Sequence, residues 1–136
     1  MDEVEQPFAL VVDDDAMILL NACDILEAAG FQCLEAYNFV EAIDRLERHE
    51  GRITLLFSDV ELGAGEDGFE LSRETAKRWP DINILIASGR ITPGPGEMPE
   101  GAIFISKPFS AHVVHARLHE LLPEGQKPEP LKRKAI

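Results

Sequence analysis

Short apolar runs alternate along the chain with stretches in which apolar residues recur every three or four positions, the pattern of strands that cross over through helices into a parallel sheet. Five runs read as strands: FALVV at 8–12, FQCLEA at 31–36, ITLLFS at 53–58, INILIA at 82–87 and AIFI at 102–105. The third and fourth are almost continuously apolar, as central strands covered on both faces require. Leu19, Ala22, Leu26 and Ala29 mark a first helix stopped by Gly30. Asn38 with Glu41 three residues on resembles a capping box, opening a second helix along Phe39, Ile43 and Leu46. Phe69, Ser72, Ala76 and Trp79 line a third that Pro80 ends. Val114, Leu118, Leu121 and Leu122 mark the last, with Ser110 placed as its N-cap.

One unit is absent from this rhythm. Between the fourth and fifth strands, SGRITPGPGEMPEG at 88–101 holds Pro93, Pro95 and Pro99 among glycines, so a loop or at most a single turn replaces the fourth helix. The expected organisation is a single domain over residues 7–122, with a flexible N-terminus at 1–6. A flexible tail is expected at 123–136, because Pro123, Pro128 and Pro130 precede the basic cluster Lys132, Arg133 and Lys134.

A length of 136 residues with 45% hydrophobic and 28% charged residues fits one globular domain and leaves no room for a second. The net charge of -12 argues against a nucleic-acid surface, which draws on clustered Lys and Arg. No apolar run is long enough to span a membrane, and MDEVEQPF lacks the basic and apolar regions of a secretory signal, so the expected location is cytoplasmic. Cys23 and Cys33 have no CxxC spacing and read as reduced, half-buried thiols.

In an open parallel sheet, ligands bind at the carboxyl ends of the strands. There the chain places Asp13, Asp14 and Asp15 after the first strand and Asp59 after the third. Ser88 follows the fourth, and Lys107 with Pro108 the fifth. Singly, each has a bland reading: Asp15 as a helix N-cap, Asp59 as a loop acid, Ser88 as a turn residue, Lys107 as a solvated charge. Jointly, they require coincidence at four strand ends. Two carboxylates at one strand end with a third on a neighbour suit a hard divalent cation, Mg2+ best, since it is commonly held by few carboxylates together with phosphate and water. Asp59 is then a candidate nucleophile for a phosphoryl group, with Lys107 as a second positive contact and the Ser88 hydroxyl as a hydrogen-bond donor.

These residues resemble the receiver domain of two-component response regulators, of the stand-alone type. The resemblance covers about residues 7–122 and rests on LVVDDD, LLFSDVELGAGEDGFEL, ILIASG and FISKPFS in that order. It implies a flavodoxin-like α/β fold with a five-stranded parallel sheet of order 2-1-3-4-5. By position it implies a magnesium-binding pair at Asp13 and Asp14, a phosphoacceptor at Asp59, and a metal-binding backbone carbonyl at Glu61. It also implies a switch hydroxyl at Ser88, a switch aromatic at Phe104, the family's lysine at Lys107, and a cis peptide before Pro108. The loop after Asp59 departs from the family, with Gly63 where proline is common and one extra residue before Asp67 and Gly68. The implied partners are a sensor histidine kinase or a histidine phosphotransfer protein, and a downstream protein target.

Two rivals are a magnesium-dependent phosphohydrolase that forms an aspartyl phosphate, and a pseudo-receiver that never accepts phosphate. The hydrolase commonly carries its nucleophile in a D-x-D motif after the first strand, with a substrate cap. The pseudo-receiver is disfavoured because all the chemical residues are present. His112, His115 and His119 fall on one flank of the last helix and read as a solvated or partner-facing stripe.

Overall fold

The computed structural model describes residues 6–63 and 65–133. Five strands, β1 (Phe8–Val12), β2 (Gln32–Ala36), β3 (Ile53–Asp59), β4 (Asn83–Ser88) and β5 (Ile103–Ser106), form one parallel sheet in the order β2-β1-β3-β4-β5. The helices are α1 (Ala16–Ala28), α2 (Phe39–Arg48), α3 (Gly68–Arg78) and α4 (Ala111–Leu121), followed by a 3-10 turn at Glu124–Gln126 and a short α5 (Glu129–Lys132). The flavodoxin-like fold expected from the sequence is the fold observed. Every expected strand is present within one residue at each end.

Strand alternation sorts the core into two layers. Ala9, Val11, Leu55, Phe57, Leu85, Ala87 and Ile105 face the side covered by α1 and α4. Phe8, Leu10, Val12, Leu56, Ile84 and Ile86 face α2 and α3, with Phe104 half-buried on that side. β1 is buried along its whole length, which its central place beside β3 explains.

The helix starts follow their caps. The Asp15 carboxylate accepts from the Met17 and Ile18 amides, Asn38 from Glu41 and Ser110 from Val113. Glu41 closes its box on the Tyr37 amide at 2.8 Å, one residue before the cap. No helix lies between β4 and β5. The loop there is tied to α3 by Arg73, whose guanidinium donates to the Glu97 carbonyl at 2.6 Å, and Met98 packs on the α2/α3 layer.

Two expectations need correction. The segment after α4 is not a flexible tail over residues 123–133: Leu131 is fully buried among the α1/α4 residues, and Gln126 accepts from the Asn83 amide at 2.7 Å. Pro128 and Pro130 close on Gly30, whose φ of +105° and lack of a Cβ permit the approach. Residues 134–136, including Lys134 of the basic cluster, and residues 1–5 of the N-terminus lie outside the described residues.

Nor are the three histidines a solvated stripe. Only His112 is exposed. His115 is buried, with Nε2 3.0 Å from the Ile25 carbonyl in the last turn of α1, where helix carbonyls lack intrahelical partners. His119 Nε2 stands 3.0 Å from the Leu131 carbonyl and holds α5. Both histidines therefore tie α4 to its neighbours.

Candidate functional site

Parallel register brings the strand ends level. Val12 pairs with Ser58, Asp59 with Ala87 and Ser88 with Ser106, so Asp13, Asp59, Ser88 and Lys107 arrive at one edge of the sheet. Asp13, Asp59 and Lys107 continue the alternation of Val11, Phe57 and Ile105 and so fall on the α1/α4 side. Ser88 continues that of Ile84 and Ile86, the side on which Phe104 packs.

Lys107 Nζ bridges Asp13 Oδ2 and Asp59 Oδ1 at 2.9 Å each. Asp13 and Asp59 are buried, whereas Asp14 is exposed, and one oxygen from each of the three lies within 4.8 Å of the others. Burial pushes the Asp59 carboxyl above its ordinary value; Lys107 opposes the rise, and Asp13 and Asp14 add to it. Burial alone would lower the Lys107 ammonium, but its bonds to Asp59 and Asp13 outweigh this and hold it above its usual range.

The second oxygen of Asp13, Oδ1, accepts from the Asp15 amide at 2.9 Å, which fixes the carboxylate beside the start of α1. Asp15 itself caps that helix, apart from the cluster. Ser88 Oγ accepts from the Arg90 and Ile91 amides at 3.2 and 3.0 Å, anchoring the start of the Pro/Gly loop. The peptide between Lys107 and Pro108 is cis, and Phe109 packs on Phe57 with ring centroids 5.3 Å apart. Glu61 is exposed just after β3. Gly63 carries the loop past Asp14 with φ of +82°, and a Cβ there would stand 3.7 Å from Asp14 Oδ2.

Sequence reasoning passed over what holds the far side of this loop. Asp67 and Glu70 form a complete capping box at the start of α3, with both bonds at 2.9 Å. Gly68 donates to the Val60 carbonyl at 2.7 Å, and any Cβ there would run into the Asp59 backbone carbonyl. The signal was present in the sequence as D-G-F-E, an N-cap with its N3 glutamate.

The donor set is all oxygen, which suits a hard cation of the magnesium type. A parallel sheet of this order with three aspartates and a lysine at its carboxyl edge defines a receiver-type switch domain. The chain belongs to the response regulator receiver domain family, whose model matches residues 9–119. Receivers of this family are phosphoacceptor switches of two-component systems and bind Mg2+ at an acidic pocket.

The chain is 30% identical over 118 residues to the sensor kinase CckA of Brucella abortus, covering 83% of this chain and 12% of that protein. It is 31% identical over 115 residues to the phosphate regulon transcriptional regulatory protein PhoB of Escherichia coli, covering 83% of this chain and 50% of that protein. It thus spans a part of each relative. The receiver domain from the hybrid histidine kinase CckA superposes with a TM-score of 0.73 at 28% identity, over 85% of this chain and 99% of that one. The chemotaxis protein CheY4 of Vibrio cholerae shares the fold with a TM-score of 0.75 at 22% identity, over 87% of this chain and 100% of that one. No helix among the described residues is long and apolar enough to cross a membrane.

Proposed function

We propose that Asp59 accepts a phosphoryl group from the phosphohistidine of a sensor kinase or histidine phosphotransfer protein, and that the phosphorylated domain signals by binding a protein target or passes the phosphoryl group on. The observation that carries this reading is the Lys107 bridge to Asp13 and Asp59 at 2.9 Å each, with Asp14 beside it. Asp13, Asp14, Asp59 and the backbone carbonyl of Glu61 would hold Mg2+, which when bound supplies positive charge against the phosphoryl oxygens.

An Asp59 carboxylate oxygen attacks phosphorus. The new O–P bond forms as the N–P bond breaks, and the imidazole leaves with the electron pair and takes its proton from solvent. Burial favours this by leaving the carboxylate poorly solvated, while Lys107 favours its ionised form against that burial and offers its ammonium to the acyl phosphate. Ser88 Oγ accepts two amide bonds and keeps its own proton to donate to a phosphoryl oxygen. A donor protein has an apolar landing place beside the site. Met17 and Leu20 on α1 and Val113 on α4 are exposed, and a cleft of about 230 Å³ is lined by Ile18, Asn21, Lys107, Pro108 and Phe109.

The test is intact mass after incubation with acetyl phosphate and Mg2+. A gain of one phosphoryl group that Asp59→Asn abolishes supports the reading. No gain with any donor would favour the pseudo-receiver, and sustained turnover of phosphomonoesters the hydrolase.

A further inference from the structure

The edge of the sheet opposite Asp59 carries a cavity that the phosphoacceptor site does not use. Asp59 closes β3 and Ile53 opens it, so the two lie roughly 20 Å apart along the strand. There, where α2 and α3 end, the chain encloses a cavity of about 340 Å³ with Leu46, Ile53, Trp79 and Ile82 as its apolar lining. That volume falls in the range of small-molecule sites.

Local structure builds the cavity from three segments. Pro80 stops α3, and the Ile82 amide donates to the Trp79 carbonyl at 3.0 Å, so the chain turns tightly from Trp79 into β4. The end of α2 and the start of β3 contribute Leu46 and Ile53. The segment after α4 contributes Gln126, which accepts from the Asn83 side-chain amide at 2.7 Å; the same amide donates to the Thr54 carbonyl at 3.0 Å.

The charges around the cavity do not balance. Arg78 lies over the Trp79 ring, 4.4 Å from its centroid, but Glu47 at 2.7 Å and Glu74 at 3.7 Å already compensate it. Glu50 and Asp81 also line the cavity, and among the described residues neither forms an ion pair. The Trp79 indole N–H donates to Glu50 Oε2 at 3.0 Å, which sets that carboxylate at the edge of the ring. Thr54 lines the cavity too, and its buried Oγ1 has no hydrogen-bond partner. An anion therefore meets a guanidinium that is already paired. A bare metal ion meets no gathered set of donors such as Asp13, Asp14 and Asp59 provide.

We propose that this cavity binds a small organic cation, an amine with an aromatic or aliphatic body. The apolar part enters beside Leu46, Ile53, Trp79 and Ile82, and the ammonium pairs with Glu50 while Asp81 adds to the negative field. Arg78, stacked on the same ring and paired with Glu47, is the chain's own instance of this chemistry.

Trp79 is the single tryptophan of the chain, so its emission reports on this cavity. The probe is phenethylamine, titrated into the full chain with excitation where only the indole absorbs, beside phenethyl alcohol and hydrocinnamate as its neutral and anionic counterparts. The amine is expected to change the emission saturably and to shift the amide cross-peaks of Gly51, Ile82 and Gln126, with the alcohol binding more weakly and the acid more weakly still. Glu50→Gln keeps an acceptor for the indole N–H and removes the charge; it should weaken amine binding roughly two- to fivefold, the range of an exposed ion pair, and leave the alcohol unchanged. Equal binding of the three compounds would overturn the proposal. So would amine binding that Glu50→Gln and Asp81→Asn together leave unchanged, or an amine to which neither the emission nor the cross-peaks respond.

Discussion

Replacing Asp59 by asparagine removes a charge whose costs and gains nearly cancel. At an effective dielectric of ~20, the Lys107 contact of 2.9 Å attracts Asp59 by about 6 kcal/mol. Asp13, with an oxygen within 4.8 Å, repels it by at least about 3.5 kcal/mol. Asp14 lies equally near but is exposed, so solvent reduces its share. Desolvation of the buried carboxylate then decides the balance, which agrees with an Asp59 carboxyl raised above its ordinary value by burial first.

A carboxyl whose folded pKa is raised contributes stability below its unfolded pKa and loses it as pH rises through the folded one. At neutral pH without magnesium, ionised Asp59 is therefore a net cost. Asp59→Asn is expected to stabilise the chain by roughly 1–3 kcal/mol, or about 3–15 °C in Tm for a domain of this size. The assay is thermal unfolding in EDTA at neutral pH, repeated at pH 3 and with millimolar Mg2+. The gain should vanish at low pH, where the wild-type carboxyl is protonated, and shrink in Mg2+, which on the proposed function would stabilise only the intact cluster. An Asp59→Asn chain no more stable than wild type in EDTA would refute the argument.

Three further outcomes follow from the same contacts. Lys107→Met leaves Asp13 and Asp59 facing each other without their cation; it should lower Tm in EDTA, and adding Asp59→Asn should recover part of the loss, as a double-mutant cycle in thermal unfolding would show. Leu131→Ala empties a fully buried site and should cost roughly 2–5 kcal/mol, read as a lower urea midpoint at unchanged slope; an unchanged midpoint would mean that residues 123–133 do not pack on the core. Asp67→Ala removes the α3 capping box and should cost about 1 kcal/mol, whereas Gly68→Ala should cost more, because its Cβ meets the Asp59 carbonyl and must displace the loop that carries the site.

The strands and the acidic edge were legible because both depend on local pattern. An apolar run ending in Asp13 or Asp59 marks a strand and its exit together, and parallel order then brings the ends level. Leu131 was not legible: Pro128, Pro130 and the basic residues around it have the composition of a solvated tail, and only the bare backbone at Gly30, a hundred residues earlier, lets them dock. His115 and His119 misled for a similar reason. Helical spacing placed them on one flank, but the carbonyls they hold, Ile25 and Leu131, belong to elements whose position the α4 sequence does not encode. The Pro/Gly segment at 88–101 reads as helix-free from its composition alone, and Arg73 and Met98 show how the chain covers the sheet there instead.

The most direct test of the phosphoacceptor reading is to locate the phosphoryl group. Borohydride reduces an aspartyl phosphate to homoserine, so peptide mapping after treatment with acetyl phosphate, Mg2+ and borohydride reads the modified position directly. Homoserine at position 59 alone is the expected result; homoserine at any other aspartate, or none from a chain that has gained phosphoryl mass, would contradict it.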